Sequence, residues 1–343
     1  KRIDQLTFTR FIAIIVVLFF HGGGGVYFQA LNIFPLSALL VSATTSVTYL
    51  YALSGFVIAL AHYRPNEKFS FENYWKARFV RLYPLYLISF LLVCYYYMDF
   101  VARVKLPKTL ANIFVVQAWI PEYSQSFNFP AWSIAVEFFF YAMFPLYAYW
   151  AYRQSTKKLI WVSLILWIVT QLIHQTLWNL YFPENGNFLV YFPLFHLSSF
   201  ILGASAGIWF LREGREQKIN PRTNLIILFI GVLIVSVYVI ISRQVPQLPH
   251  GDQLMTGFLA PFLTLVIIAL ALDKTRFSGF LSLPILIVLG EISYALYTLH
   301  IPVKWIYERA LENLNRQDLF SYTYLPLMIV IGLIAHFYID QPI

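Results

Sequence analysis

The amino-acid sequence predicts an all-α, polytopic membrane protein with about ten transmembrane helices. Of the 343 residues, 59% are apolar and only 12% are charged, and the apolar residues are gathered into runs long enough to cross a bilayer. A soluble chain of this length carries more charge on its surface. The single cysteine excludes a disulfide framework and a multi-cysteine zinc site.

The apolar runs give the expected spans in chain order. They fall near residues 6–26, 44–62, 79–98, 133–152, 158–180, 189–211, 223–242, 254–272, 283–303 and 320–339. The shorter, proline-bounded run 107–121 is expected to form an interfacial or re-entrant helix. No second soluble domain, low-complexity segment or convincing repeat interrupts the series, so residues 1–343 are predicted to form one membrane domain.

The basic residues predict the orientation of these spans. If the N-terminus faces the cytoplasm, sixteen of the 24 lysines and arginines fall in inner segments and seven in outer loops, while Arg10 lies within the first span. Cytoplasmic loops are normally the richer in lysine and arginine. Both termini are therefore predicted to be cytoplasmic. The excess of lysine and arginine over acidic residues is explained by the orientation of the spans in the membrane.

The first span, "LTFTRFIAIIVVLFFH" at 6–21, contains two ionisable residues. Arg10 and His21 are eleven residues apart, which is about 1100° of rotation and about 16 Å of rise along a helix. They therefore share one face, with Arg10 near the cytoplasmic end and His21 toward the outer end. Intramembrane ionisable residues often mark functional sites; a snorkelling arginine and an interfacial histidine are the structural alternatives.

An arginine pair, Arg78 and Arg81, lies at the cytoplasmic end of the third span. The i, i+3 spacing puts both side chains on one helix face. Topology-determining charge explains such a pair by itself. If the first and third spans pack together, Arg10 joins the pair, and three guanidinium groups form a site suited to phosphate.

The fourth span begins in "NFPAWSIAVEFFFYAMFP" at 128–145. Ser133 is expected to cap this helix, and Glu137 lies one turn further in, among apolar and aromatic residues. A carboxylate there needs a partner, so a structural ion pair and a catalytic group are both open interpretations. The predicted direction of the span puts Glu137 at a depth similar to that of His21.

The ninth span contains "GEISYALYTLHIP" at 290–302. Ser293, Tyr297 and His300 are spaced by four and three residues and line one face. His300 is near the predicted outer end, where an interfacial histidine in an aromatic belt is the structural alternative.

The polar residues of the first, third, fourth and ninth spans suit a long ligand that is anionic at its cytoplasmic end. Acyl-coenzyme A has phosphates at one end, a thin pantetheine arm and a thioester. A neutral histidine at the far end could deprotonate an acceptor hydroxyl so that it attacks the thioester.

Six motifs in chain order resemble those of membrane acyltransferase family 3, the integral-membrane O-acyltransferases. They are "TRFIAIIVVLFFH" at 9–21, "LSGFVI" at 53–58, "RFVRLYP" at 78–84, "WSIAVEFFFY" at 132–141, "GEISYALYTLHIP" at 290–302 and "FYIDQPI" at 337–343. The resemblance covers essentially the whole chain. It implies transfer of an acyl group, usually acetyl, from a cytoplasmic coenzyme A thioester to a hydroxyl of a carbohydrate or small molecule.

The resemblance also implies residue roles. His21 resembles the essential histidine of the family and Arg10 its paired arginine, Arg78 and Arg81 match its arginine pair, and Glu137 matches the acid of its tryptophan–serine segment.

The sequence departs from the family pattern in three places. Thr48 stands before "LSGF" where an acidic residue is frequent, and Asp340 stands where glutamate is usual. The extracytoplasmic esterase-like domain fused to some relatives does not occur in the 343 residues, so a single transfer step is expected.

The sequence thus predicts an acetyl-CoA-dependent O-acyltransferase of the bacterial inner membrane, with a carbohydrate or other hydroxyl acceptor, membrane lipid around it, no metal and no nucleic acid partner. His21 is the expected general base, oriented or charge-balanced by Glu137. The expected donor-binding residues are Arg10, Arg78 and Arg81, and the expected acceptor-side residues are Ser133, Tyr297 and His300. No acyl-enzyme is expected, because neither Ser54 nor Ser133 has a histidine nearby in the sequence.

Two other functions fit the same residues. A transporter or flippase of an anionic glycolipid or metabolite also needs intramembrane Arg, His and Glu, and paired inverted repeats would favour it. A non-catalytic assembly subunit would keep its function when His21 is replaced.

Overall fold

All regular secondary structure in the described part of the protein is helical, which confirms the all-α fold class. The computed structural model describes residues 3–22, 38–39, 42–64, 69–97, 104–245 and 247–340. The predicted glycine-rich segment at 23–25 lies outside these ranges.

Fourteen α-helices are numbered here along the described chain. They are α1 (Gln5–His21), α2 (Ala43–His62), α3 (Phe71–Tyr96), α4 (Leu106–Ile113), α5 (Trp132–Ala151), α6 (Thr156–Tyr181), α7 (Gly186–Tyr191), α8 (Pro193–Arg212), α9 (Pro221–Ser242), α10 (Ala260–Leu272), α11 (Arg276–Leu281), α12 (Pro284–Glu291), α13 (Ser293–Asn313) and α14 (Phe320–Ala335). Short 3₁₀ turns precede several of them, and a π-helical turn, His336–Asp340, follows α14.

By helix length and apolar composition, the described residues contain fewer spans than the predicted ten. Within the described residues, seven helical segments are long and apolar enough to cross a membrane, and α12 with α13 makes an eighth if this pair, bent by 49°, is counted as one span. The helices α1 and α10 are apolar but have only 17 and 13 residues. The polytopic class is confirmed, and the count of ten is not.

The surface of the bundle is apolar, as lipid contact requires. On α9, Phe229 is 66% exposed and Ile226 is 56% exposed, and α6 presents Leu172 at 64%. Soluble proteins rarely expose apolar surface in continuous bands of this kind. These faces therefore fit the hydrocarbon of a bilayer.

Side-chain caps fix where several helices begin. Ser70 accepts a hydrogen bond from the backbone N–H of Asn73 and starts α3 eight residues before the predicted span, while Ser155 starts α6 in the same way. Such caps satisfy N–H groups that have no partner within the helix. The early start of α3 puts Arg78 and Arg81 inside a long helix instead of at its beginning.

The predicted span 254–272 is interrupted, because α10 begins only at Ala260. The preceding turn Gly251–Thr256 is 3₁₀, and Gly257 has a φ of 97°. Neighbouring helices satisfy the backbone carbonyls of this irregular segment. Thr48 donates to Leu254 O and Met255 O at 3.1 Å, Gln171 to Thr256 O at 2.9 Å and Trp167 to Gly257 O at 2.8 Å.

That arrangement explains how non-helical backbone is tolerated among membrane helices, where unpaired polar groups are costly. Thr48, which stands where an acid is frequent in the family, is fully buried and holds this segment. The threonine at this position therefore has a structural role.

The helices α2 and α8 approach so closely that their backbones touch. A Cβ atom on Gly203 would lie 1.8 Å from the carbonyl oxygen of Ala52, and one on Gly55 would lie 2.1 Å from that of Phe200. Small residues permit this type of membrane helix packing. Gly55 follows Ser54, so the close contact also fixes the register of a residue in the central cavity described below.

A third glycine holds α12 against α1. A Cβ on Gly290 would lie 2.1 Å from the carbonyl oxygen of Thr7. Thr7 is one turn before Arg10, and the chain bends by 49° just after Glu291. The contact therefore sets the position of Arg10 relative to α13.

We expect Gly203→Ala to destabilise the protein, because the added methyl group meets the backbone of α2 and overpacking costs about 1–3 kcal/mol. Helix propensity alone would favour alanine. The measurement is the midpoint of thermal unfolding in detergent. Gly279→Ala is the matched control, because no atom lies within 4 Å of a Cβ at that helical position. Equal midpoints for the two variants would contradict the close packing of α2 and α8.

Candidate active site

A central cavity of about 100 Å³ opens between α1, α2, α3, α5 and α13. Its polar lining residues are Arg10, Ser54, Arg78, Arg81, Ser133, Glu137, Tyr141, Ser293 and Tyr297, with apolar residues such as Ile14 and Leu82 between them. The structure thus brings together the three arginines that the sequence placed at similar depth on the first and third spans.

The guanidinium groups of α3 lack carboxylate partners in the described part of the chain. Arg78 has one terminal nitrogen 3.3 Å from His62 Nε2, and its carbon Cζ lies 5.6 Å from the centre of the Tyr141 ring. Its Nε is buried and has no hydrogen-bond partner among the described residues. Arg81 is exposed and lines the same cavity. An arginine held this way is available to an anionic ligand.

Glu137 lies in the same cavity as the arginines, and this corrects its expected partnership with His21. Its Oε1 accepts hydrogen bonds from Ser54 Oγ at 3.1 Å and from Tyr141 Oη at 2.5 Å. His21 pairs instead with His300. The sequence misplaced the carboxylate because span direction gives an approximate depth and does not show which helices pack together.

A second cavity of about 520 Å³ adjoins the central one. The two cavities share Arg10, Val57, Arg81 and Tyr294. The adjoining cavity adds Arg64, and it also adds Glu291 and His336, whose side chains lie 3.4 Å apart. Together the cavities form one continuous space whose charged lining is mainly positive.

His21, at the end of α1, does not line either cavity. Its Nδ1 is 2.9 Å from His300 Nε2, and the two rings are nearly parallel with centroids 5.0 Å apart. The edge-on ring of Phe129 lies 5.2 Å away, and Lys304 Nζ donates to the carbonyl oxygen of His21 at 2.7 Å. His300, expected on the acceptor side, is therefore the direct neighbour of the proposed base.

The hydroxyl-bearing residues Ser133 and Tyr297 line the central cavity, and the ring of Tyr297 lies 5.7 Å from that of His300. Their hydroxyl oxygens are 2.5 Å apart and join α5 to α13. Ser133 is not the helix cap that the sequence suggested, because α5 begins at Trp132 and the Ser133 hydroxyl donates to Pro130 O at 2.9 Å. Tyr297 is one turn from His300 along α13, and because the Ser133 hydrogen is directed to Pro130 O, the Tyr297 hydroxyl is the donor to Ser133 Oγ.

Several residues of the site carried no sequence signal of their own. Arg64 was counted only as a topological charge, and Tyr141 was one aromatic residue in an aromatic run. Glu291 and His336 are 45 positions apart in the sequence and meet only in the fold. Ser54 belongs to the "LSGF" motif, but its hydrogen bond to Glu137 requires the packing of α2 against α5.

No group of three or more His, Cys, Asp or Glu side chains in the described ranges is arranged to hold a metal ion. The buried histidines His174 and His196 contact backbone carbonyls. His196 has its two ring nitrogens 3.2 Å from Met255 O and 2.9 Å from Val190 O, and His174 Nε2 is 3.0 Å from Leu189 O.

The fold and site therefore define a polytopic membrane protein with a positively lined internal cavity beside a histidine pair. The family model described as an acyltransferase domain, acyltransferase 3, matches residues 3–339. The chain belongs to that family.

Two proteins illustrate the similarity to known members. The chain is 29% identical over 174 residues to acyltransferase MdmB of Streptomyces mycarofaciens, covering 47% of this chain and 43% of that protein. It is 27% identical over 275 residues to O-acetyltransferase OatA of Staphylococcus aureus, covering 74% of this chain and 44% of that protein. The chain thus spans less than half the length of these relatives. No solved structure matches it.

We expect a cysteine placed in the shared part of the cavities to react faster with an anionic than with a cationic thiosulfonate of similar size. Val57→Cys in a Cys94→Ser background gives one thiol near Arg10 and Arg81. A positive, partly enclosed site concentrates anions by about tenfold or more. The measurement is the ratio of the two labelling rates at low salt.

The control for this experiment is Asn185→Cys in the same background, because Asn185 is exposed and outside both cavities. Replacing Arg78 and Arg81 by Gln should lower the ratio at position 57 and leave it unchanged at position 185. Equal rates for both reagents at position 57 would contradict a positive cavity.

Proposed function

We propose that the protein transfers an acyl group, most simply acetyl, from acyl-coenzyme A to a hydroxyl of a carbohydrate or similar acceptor at the outer face of the bacterial inner membrane. The observation that carries the proposal is the central cavity, which is lined by three arginines, Glu137, Ser133 and Tyr297. The His21–His300 pair lies one helical turn beyond Tyr297. Family membership supports acyl transfer, and similarity to O-acetyltransferase OatA of Staphylococcus aureus supports acetyl as the group transferred.

The arginines are the proposed binding groups for the donor phosphates. Arg78 and Arg81 have no carboxylate partner within the described residues, and bidentate guanidinium groups suit phosphate oxygens. The adjoining cavity, with Arg64, offers room for the nucleotide end, and the central cavity takes the thinner pantetheine arm. The positive-inside distribution supports a cytoplasmic position for both termini and for the mouth of the adjoining cavity.

His21 is the proposed general base. It takes the proton of the acceptor hydroxyl as the oxygen attacks the thioester carbon, and it returns that proton to the thiolate of coenzyme A when the carbon–sulfur bond breaks. Ser133 and Tyr297 place hydroxyl groups at the lining of the central cavity, where they can contact the acyl carbonyl oxygen. Glu137 offsets the positive charge of the cavity and positions Ser54 and Tyr141.

Direct transfer is proposed instead of an acyl-enzyme. In the described part of the structure, the Ser54 hydroxyl donates to Glu137, and the Ser133 hydroxyl contacts Pro130 and Tyr297. Neither serine contacts a histidine that could activate it as a nucleophile.

We expect coenzyme A to bind the purified protein and Arg78→Gln/Arg81→Gln to weaken that binding by about tenfold or more, because two charge-assisted contacts to phosphate are lost. The measurement is calorimetric titration in nanodiscs with coenzyme A and with its analogue lacking the 3′-phosphate.

Arg276→Gln is the matched control for the binding experiment, since Arg276 is exposed, has the same charge and lines neither cavity. Absence of binding to a folded wild-type protein would reject the coenzyme A donor and favour a transporter of an anionic glycolipid or metabolite. Equal weakening in the control would reject the assignment of Arg78 and Arg81.

We expect His21→Ala to lower acyl transfer by about 10²–10⁴-fold while leaving coenzyme A binding nearly unchanged, because general base catalysis contributes that much and His21 lines neither cavity. The measurement is release of free coenzyme A in proportion to acylated acceptor, tested on a panel of saccharides. His250→Ala, at an exposed histidine, is the control. Full activity in His21→Ala would support a different base or a non-catalytic role for this chain.

A further inference from the structure

A backbone carbonyl determines which nitrogen of His300 carries hydrogen. His300 Nδ1 lies 2.5 Å from the carbonyl oxygen of Tyr297, one turn earlier in α13. A carbonyl oxygen only accepts hydrogen bonds, so Nδ1 must carry the N–H. In a neutral imidazole the other nitrogen is then an acceptor, and His300 Nε2 presents a lone pair.

The same logic extends to His21. His21 Nδ1 is 2.9 Å from His300 Nε2, and one of two nitrogens at this distance has to donate. Because His300 Nε2 is the acceptor, His21 Nδ1 carries hydrogen. The lone pair of His21 is then at Nε2, the nitrogen that does not face His300.

We infer that His300 is a positioning residue that holds His21 in the Nδ1–H tautomer, with His21 Nε2 as the atom that accepts the proton of the acceptor hydroxyl. This inference rests on the proposed function for its catalytic meaning. The tautomer itself follows from two contacts, that of His300 Nδ1 with the carbonyl oxygen of Tyr297 and that of His300 Nε2 with His21 Nδ1.

Contacts from two other segments hold the pair in this arrangement. Phe129 packs edge-on against the His21 ring, and Tyr324 on α14 donates to the carbonyl oxygen of His300 at 2.7 Å. His300 is only 1% exposed. Rotamers locked by packing are what a reacting group requires for a defined direction of attack.

The charges around the pair favour two neutral rings. Among the described residues, Lys304 donates from its Nζ to the carbonyl oxygen of His21 at 2.7 Å, and the carboxylate of Glu308 lies 3.8 Å from that ammonium. No carboxylate contacts either ring in the described part of the structure. The carbonyl of Tyr297 therefore does the orienting work that a carboxylate does in many catalytic histidine pairs, without adding a buried charge.

The first test reads the tautomer directly. Solid-state ¹⁵N NMR of histidine-labelled protein in lipid, with the His21 signals identified from their loss in His21→Ala, should show a protonated Nδ1 and an unprotonated Nε2. His300→Leu removes the acceptor and should release the tautomer, which gives a mixture or the Nε2–H form. A wild-type His21 with hydrogen on Nε2 would overturn the inference.

The second test compares side chains that do and do not reproduce the acceptor. In His300→Gln the amide oxygen can reach the place of the imidazole Nε2 and accept from His21 Nδ1–H, whereas the shorter Asn side chain cannot. We expect transfer within about tenfold of wild type for His300→Gln and a loss of roughly 10²-fold or more for His300→Asn and His300→Leu. Unfolding midpoints and coenzyme A binding of the variants separate this effect from misfolding.

Equal loss of transfer in His300→Gln and His300→Leu, with both variants folded, would overturn the positioning role. The failure of the proposed function looks different. A wild-type protein that neither binds coenzyme A nor transfers an acyl group rejects the enzyme, while the ¹⁵N spectrum still reports whether His300 fixes the tautomer.

Discussion

Every polar group inside a membrane protein needs a partner, and this constraint organises the structure around the cavity. The Glu137 carboxylate accepts from Ser54 and Tyr141, and the irregular backbone at 254–257 is satisfied by side chains of neighbouring helices. Water cannot supply these bonds in hydrocarbon. The Nε of Arg78 is one of nine buried side-chain atoms that have no hydrogen-bond partner among the described residues, and of these nine residues Arg78 is the one that lines the central cavity, where a ligand could supply the partner.

The sequence could predict the fold class and the identities of most site residues, because both depend on local patterns. Apolar runs of spanning length indicate membrane helices, and an arginine or glutamate within such a run is unusual enough to be noticed. Helical spacing also placed Tyr297 and His300 on one face of the ninth span, and both lie near the site.

The sequence could not predict which residues contact each other. Glu137 was paired with His21 by depth, but the approach of α2, fixed by Gly55 and Gly203, brings it to Ser54. The break in the span at 254–272 and the pairing of Glu291 with His336 also depend on contacts between distant segments. Periodicity within one helix does not report such contacts.

The Ser133–Tyr297 hydrogen bond has a consequence for the cell as well as for the reaction. In the proposed orientation the cavity opens to the cytoplasm and His21 faces outward, so a continuous file of water between them would let protons leak down the membrane potential. The two hydroxyls, 2.5 Å apart, join α5 to α13 at the lining of the central cavity. At this distance no water molecule fits between the two oxygens, so the contact excludes water from that part of the space between the two helices.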